Sequence, residues 1–166
     1  MQITPVTVTF AIMSIFALGG GLGVVVNRNL VHAALFLVLS LFGIAGLFIL
    51  LEAPFLAAVQ ILVYVGAISV LITITIMVTR RIMGIRESVN RQWPVAAVVA
   101  VLAFATLGFV IVSQFAGETP VSDVPPESVA QLGAQLVSSQ AFLLPFELAS
   151  VLLLAALIGA IVVARD

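Results

Sequence analysis

The sequence predicts an all-α membrane protein with five transmembrane helices, and three observations carry that expectation. Mean hydropathy is +1.36 and 63% of the residues are hydrophobic, a composition suited to lipid rather than water. Only 8% of the 166 residues are charged, about a third of the share in an ordinary globular domain. The apolar residues fall in five runs of about 20 to 26 residues, each able at about 1.5 Å per residue to cross a hydrocarbon core about 30 Å thick. The same counts exclude several functions. Six basic against seven acidic residues leave no basic surface for a nucleic acid. With no cysteine, disulfides, thiolate nucleophiles and cysteine-ligated iron–sulfur clusters are ruled out. His32 is the one histidine, too few for a histidine-rich metal or haem site.

The first expected span runs from Pro5 to Val26. It has no basic leader and no small-residue cleavage site, so it is expected to remain attached. Asn27, Arg28 and Asn29 form a connection short enough to make the second span, Leu30 to Leu51, its antiparallel neighbour. Glu52 and Ala53 make a still shorter link to the third span, Pro54 to Thr79. The fourth runs from Pro94 to Phe115 and the fifth from Pro145 to Ala164. Pro5, Pro54, Pro94 and Pro145 each stand where the missing N–H wastes no helix bond and the fixed φ sets the first turn. Segment 116–144 reads as a long external loop. Pro120, Pro125, Pro126, Asp123 and Glu127 mark its turns, and Val129, Leu132, Leu136 and Val137 share one face of a short interfacial helix. Residues 1–166 read as a single membrane domain, and no internal repeat suggests the two halves of a complete secondary transporter.

Arginine placement sets the expected topology. Arg28, then Arg80, Arg81, Arg86 and Arg91, and finally Arg165 all fall on one side of the five spans. Glu52, Glu118, Asp123 and Glu127 occupy loops on the other side, which carry no basic residue. The positive-inside rule therefore puts the N-terminus outside and the C-terminus in the cytoplasm. Trp93 fits an interfacial anchor on the cytoplasmic side, and Arg28 with His32 fits headgroup and helix-end contacts.

Small residues mark expected packing surfaces: Gly19 with Gly23, Gly43 with Gly46, and Ala155 with Gly159. The glycine run at 19–23 lies inside an apolar span and completes no phosphate-binding motif. The third span holds the sharpest polar contrast. Gln60 and Tyr64 are four apart, as are Ser69 and Thr73, so each pair shares a helix face. Neither pair is an acid–base system. Two readings stay open for them, hydrogen bonding between helices and a hydrated path or moving junction. Gly66 beside Tyr64 allows a bend or bulge. Glu147 also has two readings. With Pro145 at the first helical position it would be third, within reach of free N–H groups, or it meets a charged group of a partner chain.

Two runs are more specific than hydropathy. EAPFLAAVQILVYVGAISVLITITIMV, Glu52 to Val78, and LLPFELASVLLLAALIGAIVVARD, Leu143 to Asp166, resemble the small J, or chain 6, membrane subunit of respiratory complex I and its bacterial proton-translocating quinone oxidoreductase relatives. The resemblance spans most of the chain, with 80–142 the least diagnostic part. It implies an accessory subunit in the bacterial inner membrane, beside subunits A, K and H and the proximal antiporter-like subunit N, with the peripheral electron-transfer arm reached indirectly. It implies a π-bulge at Tyr64, Val65 and Gly66 whose rotation helps connect or interrupt a hydrated polar axis. It also implies that NADH, FMN, iron–sulfur clusters and quinone belong to the parent complex and none is bound by this chain, whose enzymatic role is indirect. The competing readings are a purely structural subunit and an autonomous small transporter or channel.

Overall fold

The computed structural model describes residues 4–79, 92–116, 125 and 127–165. Among them every regular element is a helix: α1 (Pro5–Val26), α2 (Leu30–Leu50), α3 (Pro54–Thr79), α4 (Trp93–Phe115), α5 (Ser128–Val137) and α6 (Leu143–Ala164). Five of these, all but α5, are long and apolar enough to cross a membrane, as the sequence predicts. Four of the arginines that set the expected topology, Arg80, Arg81, Arg86 and Arg91, lie outside the described residues, as do Glu118, Pro120, Asp123 and Pro126.

Local chemistry explains the ends. Thr4 caps α1, its hydroxyl accepting from the Thr7 N–H at 3.3 Å, with Pro5 in the first turn. Asn27 and Asn29 build the connection to α2. The Asn27 side chain accepts from the Asn29 N–H at 3.3 Å, and the Asn29 side chain caps α2 by accepting from Val31 at 3.0 Å. At the far end of α2, the Glu52 N–H donates to Ile49 O and the Ala53 N–H to Phe48 O. These paired bonds form a Schellman closure, with Glu52 at φ 55° in the left-handed position that usually holds glycine. Pro54 then opens α3.

The last span differs from expectation at its start. It begins at Leu143, two residues before Pro145, and the Phe146 N–H closes the first turn onto Phe142 O at 3.1 Å. Pro145 is thus the third helical residue, where its lacking N–H still costs nothing. Glu147 is the fifth, beyond the free N–H groups that a third position would have offered.

Helix packing is concentrated at one end of the chain. α2 packs against α1 on one side and along the length of α3 on the other. The α1–α2 seam is close enough to exclude side chains. A Cβ on Gly20 would stand 2.6 Å from the Ser40 backbone nitrogen, and one on Gly43 would stand 2.5 Å from that of Ala17. Gly23 faces the Phe36 ring and Gly46 the Met13 side chain. The Ser40 hydroxyl donates to Ala17 O at 2.7 Å across the seam. In lipid, where burial of apolar surface gives little drive between helices, such contact and hydrogen bonding supply the association. The buried residues among those described accordingly are small or polar: Gly20, Ala34, Gly43, Ala45, Ala57, Gln60 and Ser69.

The other spans stand apart. No other described helix packs along α4, whose residues are all exposed save half-buried Gly108. Among the described helices α6 packs on α5 alone, which leads into it through the turn 138–142. α5 is the short helix expected in the segment before the last span, with Ser128, Leu132 and Leu136 as its half-buried stripe and Val129 and Val137 exposed.

Candidate functional site

The third span is not α-helical throughout. After one and a half turns of α-helix, Gln60–Ile68 winds as a π-helix before α-winding resumes at Ser69. Neither the apolar run before the segment nor the Ser69 and Thr73 after it signals π winding in the sequence, whereas Gly66 does relate to it. A Cβ there would lie 3.3 Å from Ile61 O, the carbonyl five residues back, so a bare glycine suits the wider turn.

Its two ends are defined by hydrogen bonds. At the entrance the Gln60 N–H is shared between Ala57 O and Leu56 O, the three- and four-back carbonyls. At the exit the Ser69 N–H reaches Tyr64 O, five residues back. The Ser69 hydroxyl donates to the same oxygen at 2.7 Å. Tyr64 O thus receives two donors, which occupies both lone pairs of a carbonyl whose winding is irregular.

The polar residues singled out in the sequence are all on this element, but the structure sorts them differently. Gln60 is only 7% exposed and is the one that reaches another helix, its Nε2 donating to Leu41 O of α2 at a long 3.4 Å. No described group donates to its Oε1. Tyr64 is 45% exposed and makes no side-chain hydrogen bond with a described residue, so it does not join Gln60 in one cluster. Thr73 bonds back to Ser69 O at 2.7 Å. Ser69 and Thr73 therefore bond within their own helix. Val65 is half-buried and Gly66 exposed.

Elsewhere, Glu147 is exposed, and no hydrogen bond or ion pair joins its carboxylate to another described residue. A Cβ on Gly19 or on Gly159 would meet nothing within 4 Å, and Ala155 is exposed. Gly20 and Gly23 are the glycines of that run that approach α2 most closely, with a Cβ on Gly21 at ordinary contact distance from the Ser40 hydroxyl. Sequence reasoning passed over Gly20 and Ser40, although Met13, Ala17 and Gly20, like Phe36, Ser40 and Gly43, follow the i, i+4, i+7 spacing of one helix stripe. Among the described residues, no three His, Asp or Glu side chains gather as metal ligands would. Among the described residues of this segment no nucleophile is paired with a base, and what they present is a buried amide, a doubly bonded carbonyl and an irregular turn in mid-span.

Comparison with known proteins decides the family. Residues 20–163 match the family described as NADH-ubiquinone/plastoquinone oxidoreductase chain 6. The chain belongs to that family. A chain 6 relative, the NAD(P)H-quinone oxidoreductase chain 6 of Leptolyngbya boryana, is 40% identical, across 95% of this chain and 79% of its own length. The same-named protein of Synechocystis is 38% identical, over 95% and 80%. The F(420)H(2) dehydrogenase subunit J of Methanosarcina mazei is 37% identical, over 96% and 90%. The chain is thus a multi-pass, chain 6-type subunit of an oxidoreductase complex. Both runs that carry the resemblance, Glu52 to Val78 and nearly all of Leu143 to Asp166, lie within the matched region.

Proposed function

We propose that this chain is a non-catalytic membrane-arm subunit of a proton-translocating NADH:quinone oxidoreductase, and that the π-wound part of α3 is a conformational or hydration gate coupling quinone reduction to proton transfer. The observation that carries this reading is the π-helix at Gln60–Ile68, an irregular winding in mid-span, in a chain of the chain 6 family. π-turns within α-helices recur at functional sites because they depart from the commonest bonding pattern. Gln60 adds a polar group at the α2–α3 seam, where water could extend its hydrogen bonds.

Relatives of similar identity are named for NAD(P)H in one case and F(420)H(2) in another. That suits a subunit whose work lies away from electron entry, so NADH, FMN, iron–sulfur clusters and quinone are all assigned to other chains of the complex. Subunits A, K and H and the proximal antiporter-like subunit N are the proposed neighbours. The proposed location is the bacterial plasma membrane, with the C-terminus in the cytoplasm.

Purification of the chain from native membranes with all its partners tests the assignment. Recovery with these membrane-arm neighbours supports it, whereas recovery as a monomer that moves solute or protons in liposomes overturns it in favour of an autonomous transporter. In the assembled enzyme, Tyr64→Phe and Gly66→Ala are expected to lower the protons moved per electron at unchanged assembly. Full coupling in both variants sinks the gate and leaves a packing subunit.

A further inference from the structure

We infer that Ser69 is the register pin of the third span: a small, hydroxyl-bearing side chain in a closed seat against α2, which selects π winding because α winding would give that seat to Ile68. The inference deepens the gate reading and rests on it only for the consequence in turnover.

Burial is the first observation. Ser69 is 1% exposed, while its neighbours Ile68 and Val70 are 38% and 52% exposed. α2 is the helix that packs along this part of α3, so the seat is built by α2 and fits a serine. The second is the direction of the hydroxyl. Thr9, Thr73, Thr75, Thr79, Thr106 and Ser150 each bond the carbonyl four residues back, and Ser113 the one three back. Ser69 alone among these bonds the carbonyl five back, Tyr64 O, beside its own N–H. Side chain and backbone are therefore in the same π register.

Geometry supplies the rest. Running through a π-turn inserts one residue relative to continuous α-helix. Rewinding to α removes that insertion and turns everything beyond it by about 100°, the step of one residue at 3.6 per turn. The position now held by Ser69 passes to the residue before it, Ile68. A closed seat that fits a serine does not admit a β-branched four-carbon side chain without displacing α2, because packed helix seams respond to overfilling by moving backbone. The α form is thus penalised by the size of Ile68, and the π form is held by the fit of Ser69.

The test uses the assembled enzyme carrying the full chain, its winding read from cryo-electron microscopy maps. Exchanging the two residues, Ile68→Ser with Ser69→Ile, is expected to straighten α3 through positions 60–69 and shift the register beyond by one residue. Persistence of the π-turn with the new isoleucine buried overturns the inference. Should the exchange fail to assemble, Ile68→Ala decides: a larger α-wound class than in the parent enzyme is expected, and an unchanged distribution between the windings counts against the seat. Ser69→Ala keeps the size and is expected to keep the π-turn, and its loss there would move the cause from the seat to the hydroxyl alone, overturning the account given. Protons moved per electron are measured on the same preparations. A changed winding with unchanged coupling upholds the pin and removes the gate.

Discussion

Single residues in this chain differ sharply in what they tolerate, and neighbouring glycines show it best. A Cβ on Gly20 would press into the Ser40 backbone, whereas one on Gly19 meets open space. Gly20→Ala is therefore expected to destabilise the assembled subunit by about 1–3 kcal/mol through overpacking, and Gly19→Ala to be neutral or to stabilise by up to about 1 kcal/mol through helix propensity. Thermal stability of the purified complex checks the pair, and equal effects would deny the seam. Glu52 offers the opposite case. It holds φ 55° at the end of α2, a conformation that costs a residue with a Cβ about 1–2 kcal/mol. Glu52→Gly is expected to raise stability by about 1 kcal/mol, and a fall would mean that the carboxylate has a partner beyond this chain. Neither position is legible in the sequence. Four glycines within five residues point to several faces at once, and only the partner stripe on α2 says which face is used. In a two-residue link, nothing about a glutamate announces the left-handed conformation.

At the scale of helices, the sequence is most informative where proline and length act together. α1 and α3 begin and end where expected, and each of the other spans differs at one end only, by one or two residues. The shift at α6 has a consequence, because it carries Glu147 from the third helical position to the fifth. The π-turn is a different matter. Most residues around it are apolar, and the few polar ones, Gln60, Tyr64, Ser69 and Thr73, keep a four-residue spacing in pairs, so no periodicity reveals a change in residues per turn. Its place can be anticipated through the family resemblance and the isolated Gly66, while its extent, Gln60–Ile68, comes from the structure. Because a methyl group on Gly66 would stand 3.3 Å from Ile61 O, Gly66→Ala should disturb this winding while leaving the α1–α2 seam intact. Thermal stability of the purified Gly66→Ala complex should stay near the parent's, and a fall as large as that of Gly20→Ala would show the variant to be a general packing defect.

For the whole molecule, the decisive feature is that α4 and α6 do not pack on the α1–α3 group. Their small residues, Ala155 and Gly159 among them, face no other described part of the chain. Expressed without its partner subunits, the chain is expected to turn over several-fold faster than in the complete complex, as read by pulse-chase. A long-lived, monodisperse monomer in which cross-links join α4 to α1–α3 would contradict this. Topology has its own check. The chain has no native cysteine, so single cysteines placed beside Arg28 and Arg165 can be labelled without background, and both should react from the cytoplasmic face alone. This scale is the least legible of all, since the short links mark the first three spans as successive neighbours while nothing in the hydropathy says whether the fourth and fifth join them.

α1 and α2 are joined so closely, backbone to backbone with the Ser40 hydroxyl bound to Ala17 O, that neither can slide or turn without the other. α3 rests on the opposite side of that pair. In the gate proposed above, a rotation of α3 needs a fixed body to push against, and this two-helix block is its stator. Damage to the α1–α2 seam should then register as slippage of the gate, with fewer protons moved per electron, as well as in lowered stability.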